Sequence, residues 1–309
     1  MRLVSVVLPC RDEQANVARV IDAVRTSLGE AGVDYEFVAV DDVSQDATWE
    51  AIKAAAQSDT KVRGLRLSRR FGKEAAIAAG LDIARGDAVL VMDADLQHPP
   101  TIVPEMIRRW TQGGVDVVEA VKAERGKEPF GYRILSRLFY AAMNRLSGLD
   151  LAGSSDFKLL DARVVHAWRG LGERALFFRG LVSWMGFRRD QIAFRVADRA
   201  SGSSVWGFTS LARMALSGIA AFSSIPLQLV TAFGVGFLLL AGWLGVRAVI
   251  VKFSGLAIDG TTILILLNLT TGSLVMISLG IIGQYLAQIY LEVKGRPRYL
   301  VCDRTNVER

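Results

Sequence analysis

The sequence predicts an α/β domain with a mostly parallel sheet, followed by helices that lie in and cross a membrane. Three observations carry that expectation. Short, apolar, β-branched runs alternate with helix-patterned segments as far as residue 121. Each of the first four runs ends in a polar cluster. Toward the C-terminus, no charged residue stands between Arg213 and Arg247, nor between Asp259 and Glu292. Each stretch exceeds the ~20 residues a helix needs to span a bilayer.

Taken in order, the strand candidates are Leu3–Pro9, Tyr35–Asp42, Val62–Ser68, Ala88–Asp95 and Asp116–Val121. Helical patterns separate them at Gln14–Leu28, Ala47–Gln57, Lys73–Ala84 and Thr101–Gln112. Near-continuous apolar strands joined by helices read as a parallel sheet covered on both faces. Ligands in such sheets bind beyond the carboxyl ends of the strands. The polar clusters fall there: "PCRDE" after the first run, Asp41 and Asp42 closing the second, "SRRFGK" after the third, Asp93 and Asp95 closing the fourth. Farther along, Phe130–Leu146 and Val205–Phe222 set arginine among aromatic and aliphatic residues, as helices in a membrane interface do. The expected division is an α/β domain over 1–204, an interfacial amphipathic helix over 205–223, two transmembrane helices within 224–291 and a basic tail over 292–309.

Composition agrees. Hydrophobic residues make up 51% of the 309 and mean hydropathy is +0.30, high for a purely soluble enzyme. The net charge of +6 and pI near 9.5 suit anionic lipid headgroups. Basic residues flank the paired spans: Arg195, Arg199 and Arg213 before them, "EVKGRPRYLVCDR" after. The α/β domain and both termini are therefore expected on the cytoplasmic side of a cell membrane, in a multi-pass arrangement. The apolar stretches stand too far along the chain to be a signal peptide. "GVGF", "GWLG" and "GIIG" let helices approach closely, which keeps a homo-oligomer open. No nucleic-acid module is present. Cys10 and Cys302 form no disulfide framework.

The stretch "VMDADLQHPP" (91–100) carries the chemistry. Alternate residues on an extended chain face one way, so Asp93, Asp95 and Gln97 are expected to converge. Two close carboxylates stay ionised together only with a cation between them. Oxygen ligands suit Mg2+ or Mn2+, held by one or two carboxylates plus substrate phosphates. His98 reads as a solvated loop histidine. Zinc spacings, GxGxxG and the P-loop are absent, which argues against zinc sites, dinucleotide cofactors and ATPases.

Together, "SVVLPCRDEQANV", "VAVDDVSQDAT", "LSRRFGKEAAIAAGLDIARGD" and "VMDADLQHPP" resemble the family 2 glycosyltransferases of GT-A fold. More narrowly they are similar to polyprenyl-phosphate glycosyltransferases, the dolichyl-phosphate mannose synthase and bactoprenol glucosyltransferase group. "SSDFKLLDARVV", "DRASGSSVWGF" and "GQYLAQIYLEVKGRPRYLV" extend the resemblance over nearly the whole chain. It implies a nucleotide-sugar site at Pro9, Arg11, Glu13, Asp41, Asp42, Lys73 and Asp93, and a metal held by Asp93, Asp95 and Gln97. It implies Asp95 and Asp156 as catalytic residues, Asp156 standing where the family's base is usually assigned. Arg199, Ser201 and Ser203 match its acceptor-loop pattern. Two positions depart from the family: Val43 and Ser155 stand where it has glycine. Val43 disfavours φ > 0, so the turn is expected to differ.

The implied reaction is inverting transfer of a sugar, UDP-glucose favoured, to a polyprenyl (undecaprenyl) phosphate, with the membrane as partner. A phosphomonoester is largely anionic at neutral pH, which weakens the need for Asp156 as proton acceptor. Arg125, Arg133 and Arg137, with Ser136, are placed to meet the acceptor phosphate, since arginine's planar fork binds two oxygens. GDP-mannose, aminosugar or arabinose transfer remains open, as does a non-catalytic nucleotide-sugar binding protein. A processive polysaccharide synthase would carry Q-x-x-R-W and more spans, and neither is present.

Overall fold

A computed structural model describes residues 2–122, 154–174, 176–194 and 260–307, with scattered positions between 233 and 250. The chain falls into two compact units: Met1–Trp206 with Arg296–Arg309, and Gly207–Gly295.

In the first unit, strands β1 (Leu3–Cys10), β2 (Asp34–Asp41), β3 (Val62–Leu67) and β4 (Ala88–Val91) alternate with helices α1 (Val17–Glu30), α2 (Thr48–Ser58) and α3 (Lys73–Ile83). A 3-10 turn, Pro100–Ile102, leads into α4 (Val103–Thr111), then β5 (Val117–Lys122). After β6 (Ser154–Asp161) come α5 (Ala162–Gly170), α6 (Phe178–Trp184) and β7 (Arg189–Phe194). The eight-stranded sheet has the order β7-β5-β6-β4-β1-β2-β3-β8, where β8 is Val301–Thr305. β1 to β4 are mutually parallel, β6 is antiparallel to β4 and β5, and β7 is parallel to β5. The expected mostly parallel sheet is thus present, with β6 inserted between β4 and β5. That insertion brings Asp156 beside the end of β4.

Apolar side chains on both faces explain the layering. Val4, Val6, Leu8, Phe37, Leu90 and Leu159 are at most 1% exposed and share one core with α1 and α4. On the other face α3 lies close because Gly80 meets Val7: a Cβ there would stand 2.3 Å from Val7 Cγ1. This contact fixes the helix whose first residue is Lys73.

The segment read as a tail holds a strand. β8 pairs antiparallel with β3, Trp49 Nε1 donates to Asp303 (3.1 Å), and Asn306 Nδ2 donates to Ala56 O and Val62 O (2.7 and 2.9 Å). Its pairing with β3, more than two hundred residues earlier, left no mark in the local pattern.

Val43 corrects a second expectation. The turn keeps the left-handed conformation, with Val43 at φ +57°. Asp41 Oδ1 imposes it by accepting from both Ser44 N (3.0 Å) and Ser44 Oγ (2.5 Å). A β-branched residue in that region costs about 1–2 kcal/mol. Val43→Gly is therefore expected to raise stability by up to about 1 kcal/mol, after the extra unfolded-chain entropy of glycine, and thermal unfolding would measure it.

The second unit contains α7 (Gly260–Val293). Its segment Thr270–Val293 is long and apolar enough to cross a membrane, the one such helix among the described residues. Leu264 is 63% and Met276 70% exposed, unlike a soluble core helix. The earlier expected span falls mostly outside the described residues, as do the interfacial segments 130–146 and 205–222.

Candidate functional site

Two loops beyond the strand ends are laced into one rim. Asp12 N donates to Ser44 Oγ (2.9 Å), Gln45 N to Asp12 Oδ1 (2.7 Å), Glu13 N to Thr48 Oγ1 (2.8 Å) and Gln14 N to Asp46 Oδ2 (3.1 Å). Half-buried Pro9, next to last in β1, lies below them. Two buried atoms on this rim lack a hydrogen bond among the described residues: Arg11 Nη1 and Asp41 Oδ2. Arg66 Nε lies 3.2 Å from Asp41 Oδ2, out of line to donate. A buried unsatisfied donor and acceptor on one rim call for a polar ligand. Asp42, next in the chain, is buried. Its two oxygens accept from Phe71 N (2.7 Å) and Gly72 N (2.9 Å), so it shapes the loop that starts α3.

The metal-motif residues do not lie on an extended strand. β4 ends at Val91, where its pairing with β1 stops. Beyond it the chain turns, with Leu96 at φ +58° and Gln97 N donating to Asp95 Oδ1 (3.0 Å). Asp93, Asp95 and Gln97 therefore sit on a tight turn rather than on one face of a strand. His98 is also unlike the solvated residue expected. It is 5% exposed, stacks on Phe157 and accepts at Nδ1 from Asp93 N (3.2 Å). Burial, partly offset by nearby carboxylates, pushes its pKa below the ordinary value.

A chain of charges joins this turn to β6. Lys73 Nζ lies 2.6 Å from Asp93 Oδ1 and 2.5 Å from Asp156 Oδ2. Arg179 grips Asp156 with both arms of its fork, at 2.6 and 2.9 Å. Burial opposes charge on Asp156, and partial desolvation opposes it on Lys73, whose side chain is 40% exposed, but the pairing wins. Asp93 and Asp156 hold the ammonium above its ordinary range, and Lys73 and Arg179 hold Asp156 well below the carboxylate range. Glu13 feels the same cluster: burial, then Asp95, Asp93 and Asp46, raise its carboxyl, while Asn16 opposes. Cys10 beneath is a neutral thiol, pushed up by burial and by Glu13, Asp41 and Asp93. The four clusters converge, as the strand-end argument requires.

Glu74, next to Lys73, accepts from Phe178 N (2.7 Å). Burial and the charge of Asp156 raise it to about 7, against smaller effects of Phe178, Arg179 and Lys73. A carboxyl raised on folding stabilises fully below its unfolded value near 4.5 and loses that contribution as pH rises through about 7. The unfolding temperature of wild type relative to Glu74→Gln is therefore expected to climb as pH falls from 7.5 to about 4.5. A pH series of thermal melts reads this directly.

Asp93, Asp95 and Gln97 fit a hard divalent ion by donor chemistry, all three offering oxygen. Among the described residues no group of three His, Cys, Asp or Glu forms a cage, so a metal would draw further ligands from substrate. The Lys73 ammonium already shows that Asp93 calls for positive charge.

Of the residues assigned from sequence, Pro9, Arg11, Glu13, Asp41, Lys73, Asp93, Asp95, Gln97 and Asp156 gather on this rim. Arg125, Arg133, Ser136, Arg137, Arg199, Ser201 and Ser203 lie outside the described residues. Sequence reasoning missed Arg179, Glu74 and the burial of His98. Arg179 stands in "FFRGL", with no spacing to any other polar residue that could mark it. Ser155, in place of glycine, donates its hydroxyl to Ala120 O at 2.5 Å.

Residues 5–167 match glycosyl transferase family 2. An uncharacterized glycosyltransferase of Synechocystis is 35% identical, covering 98% of this chain and 96% of that protein. A prophage-derived bactoprenol glucosyl transferase of Shigella flexneri is 34% identical, covering 96% and 97%. A prophage bactoprenol glucosyl transferase homolog of Escherichia coli K12 is 33% identical, covering 96% and 98%. Among solved structures, glucosyl-3-phosphoglycerate synthase from Mycobacterium tuberculosis, in complex with Mn2+, UDP and phosphoglyceric acid, shares the fold. Its TM-score is 0.51 at 22% identity, covering 71% of this chain and 76% of that one.

Proposed function

The chain is a glycosyltransferase of family 2, and from that premise we propose that it transfers glucose from UDP-glucose to a polyprenyl phosphate at the cytoplasmic face of a membrane. The observation that carries this reading is the ladder Asp93–Lys73–Asp156–Arg179 at the strand ends. It alternates two carboxylates with two cations, Lys73 bridging Asp93 and Asp156 and Arg179 closing on Asp156, where a diphosphate and a phosphate nucleophile would meet. Identity of 33–34% along the full length of bactoprenol glucosyl transferases supports the lipid acceptor. So does a bilayer-length apolar helix in the same chain.

In this reading Asp41 Oδ2 and Arg11 Nη1, both buried and unsatisfied, bind the nucleoside part of the donor, with Pro9 and Glu13 alongside. Asp93, Asp95 and Gln97 hold Mg2+ or Mn2+, which when bound supplies positive charge to the departing diphosphate. Lys73 adds a fixed positive charge at the same place, in a site where such charge acts strongly. The attacking oxygen belongs to the acceptor phosphate, already anionic at neutral pH. It bonds to the anomeric carbon as the diphosphate leaves from the opposite face, which inverts the configuration. Asp156, paired with Lys73 and Arg179, is a poor proton acceptor. It orients those cations instead. Arg125, Arg133 and Arg137, with Ser136, and the segment bearing Arg199, Ser201 and Ser203 receive the acceptor phosphate. The polyprenyl tail stays in lipid.

Purified protein in detergent is to be incubated with undecaprenyl phosphate and, separately, UDP-glucose, GDP-mannose and aminosugar donors. The expected product is a hexosyl undecaprenyl phosphate, identified by mass, formed from UDP-glucose. UDP release without glycolipid, or glycolipid from GDP-mannose alone, would overturn the assignment.

A further inference from the structure

We propose that His98 is a positioning residue that fixes the metal-binding turn against β6 and β7. The proposal rests on the reading that Asp93 and Asp95 bind a divalent ion, and it concerns how they are held. Asp93 is the second residue past the end of β4. The last sheet-type bond on that side runs from Met92 N to Val7 O (3.2 Å). On the other edge the pairing of β4 with β6 ends at Val91 opposite Lys158, and beyond it the N–H of Asp93 donates to His98 Nδ1 (3.2 Å). A neutral imidazole that accepts at Nδ1 carries its proton on Nε2, so one tautomer is selected.

The ring is itself held rigidly. It stacks on Phe157 with centroids 4.9 Å apart and planes at 23°, and meets Phe194 edge-on at 5.8 Å. Phe157 and Phe194 in turn meet edge-to-face at 6.1 Å. Phe157 directly follows Asp156 on β6, and Phe194 closes β7. Through one ring, the Asp93 backbone is referenced to the strand that carries Asp156. The turn needs such a reference, since Leu96 sits at φ +58°, a conformation that persists only when its surroundings impose it. Sites of this kind require their carboxylates held to within about 0.5 Å. The hydrogen bond at Nδ1 supplies position, and the aromatic pair supplies stiffness.

The two contributions separate by substitution. His98→Phe keeps a flat ring for the stack and removes the acceptor. His98→Asn places its Oδ1 where Nδ1 was and removes most of the ring. Mn2+ affinity in the presence of UDP, read by electron paramagnetic resonance, and steady-state kinetics are measured on both. His98→Phe is expected to lose about tenfold or more in Mn2+ affinity and in kcat, the usual cost of losing a partner behind a metal ligand. KM for the lipid acceptor stays unchanged. His98→Asn is expected to recover most of the Mn2+ affinity despite a lower melting temperature. Wild-type Mn2+ affinity in His98→Phe, or a His98→Asn protein as impaired as His98→Phe, overturns the proposal. A wild-type protein that binds no Mn2+ and turns over no donor overturns the functional reading instead, a separate result.

Discussion

Asp95→Asn is expected to lower kcat by about 10²–10³-fold or more, the scale set by removing one group that stabilises charge on a leaving oxyanion. The asparagine keeps the shape of the side chain and can still accept the hydrogen bond from Gln97 N, 3.0 Å away in wild type. What it removes is a negative charge that no Lys or Arg among the described residues pairs with, whereas Asp93 is held by Lys73. Folding should be nearly untouched, because the lost carboxylate sits among Asp93 and Glu13, which repel it. UDP affinity without metal should also stay near wild type. Metal-dependent turnover should collapse, the signature of a group needed in the transition state more than in the ground state. Calorimetry with UDP, thermal melts and product formation with added Mn2+ measure the three quantities. Wild-type kcat in this variant would remove Asp95 from the machinery.

The largest effect on stability is expected at Lys158. Its ammonium is fully buried in the middle of β6 and bonds the Glu119 carboxylate, 1% exposed, directly across on β5. Burial pulls this lysine below its ordinary range against the pull of Glu119, so neither charge is comfortable without the other. Removing one partner of a buried pair typically costs about 3–5 kcal/mol. Arg189, 3.8 Å from Glu119, offsets only part of it. Lys158→Met should therefore lower the unfolding temperature by roughly 10 °C for a domain of this size. The double variant Lys158→Met/Glu119→Leu should regain most of that loss, since an apolar pair of similar volume replaces the ion pair without an orphaned charge. A double variant no more stable than the single one would place the cost in packing instead.

Much of the fold and the donor side of the site was legible along the chain. Alternation of apolar runs with helical patterns is a local property, because a parallel strand buried on both faces must be apolar throughout. The same logic put Asp41, Asp93 and Asp95 at strand ends, where ligands bind. Each of these inferences needs only the residue and its neighbours within a turn or two. The apolar helix Gly260–Val293 was legible for the same reason: one bilayer length without charge is written in consecutive residues.

What the sequence by itself determined is the order of these elements and the residue types at their carboxyl ends. The tertiary structure alone decided which distant groups complete them. β8 lies beside β3 through pairings such as Leu65 with Arg304, and nothing local in either segment names its partner. Arg179 became part of the site because α6 lays it against Asp156, twenty-three residues away. His98 became buried because Phe157 and Phe194, from two later strands, enclose it. Period-two reading failed at Asp93 and Asp95 because β4 lost its partner at Val91 and the chain turned. Val43 took φ +57° against its own preference in a turn where Ser44, held by Asp41 Oδ1, also accepts at Oγ from Asp12 N, thirty-two residues earlier. In each case hydrogen bonds or packing from remote residues outweighed a local preference worth about 1–2 kcal/mol, and such partners are chosen by the folded sheet.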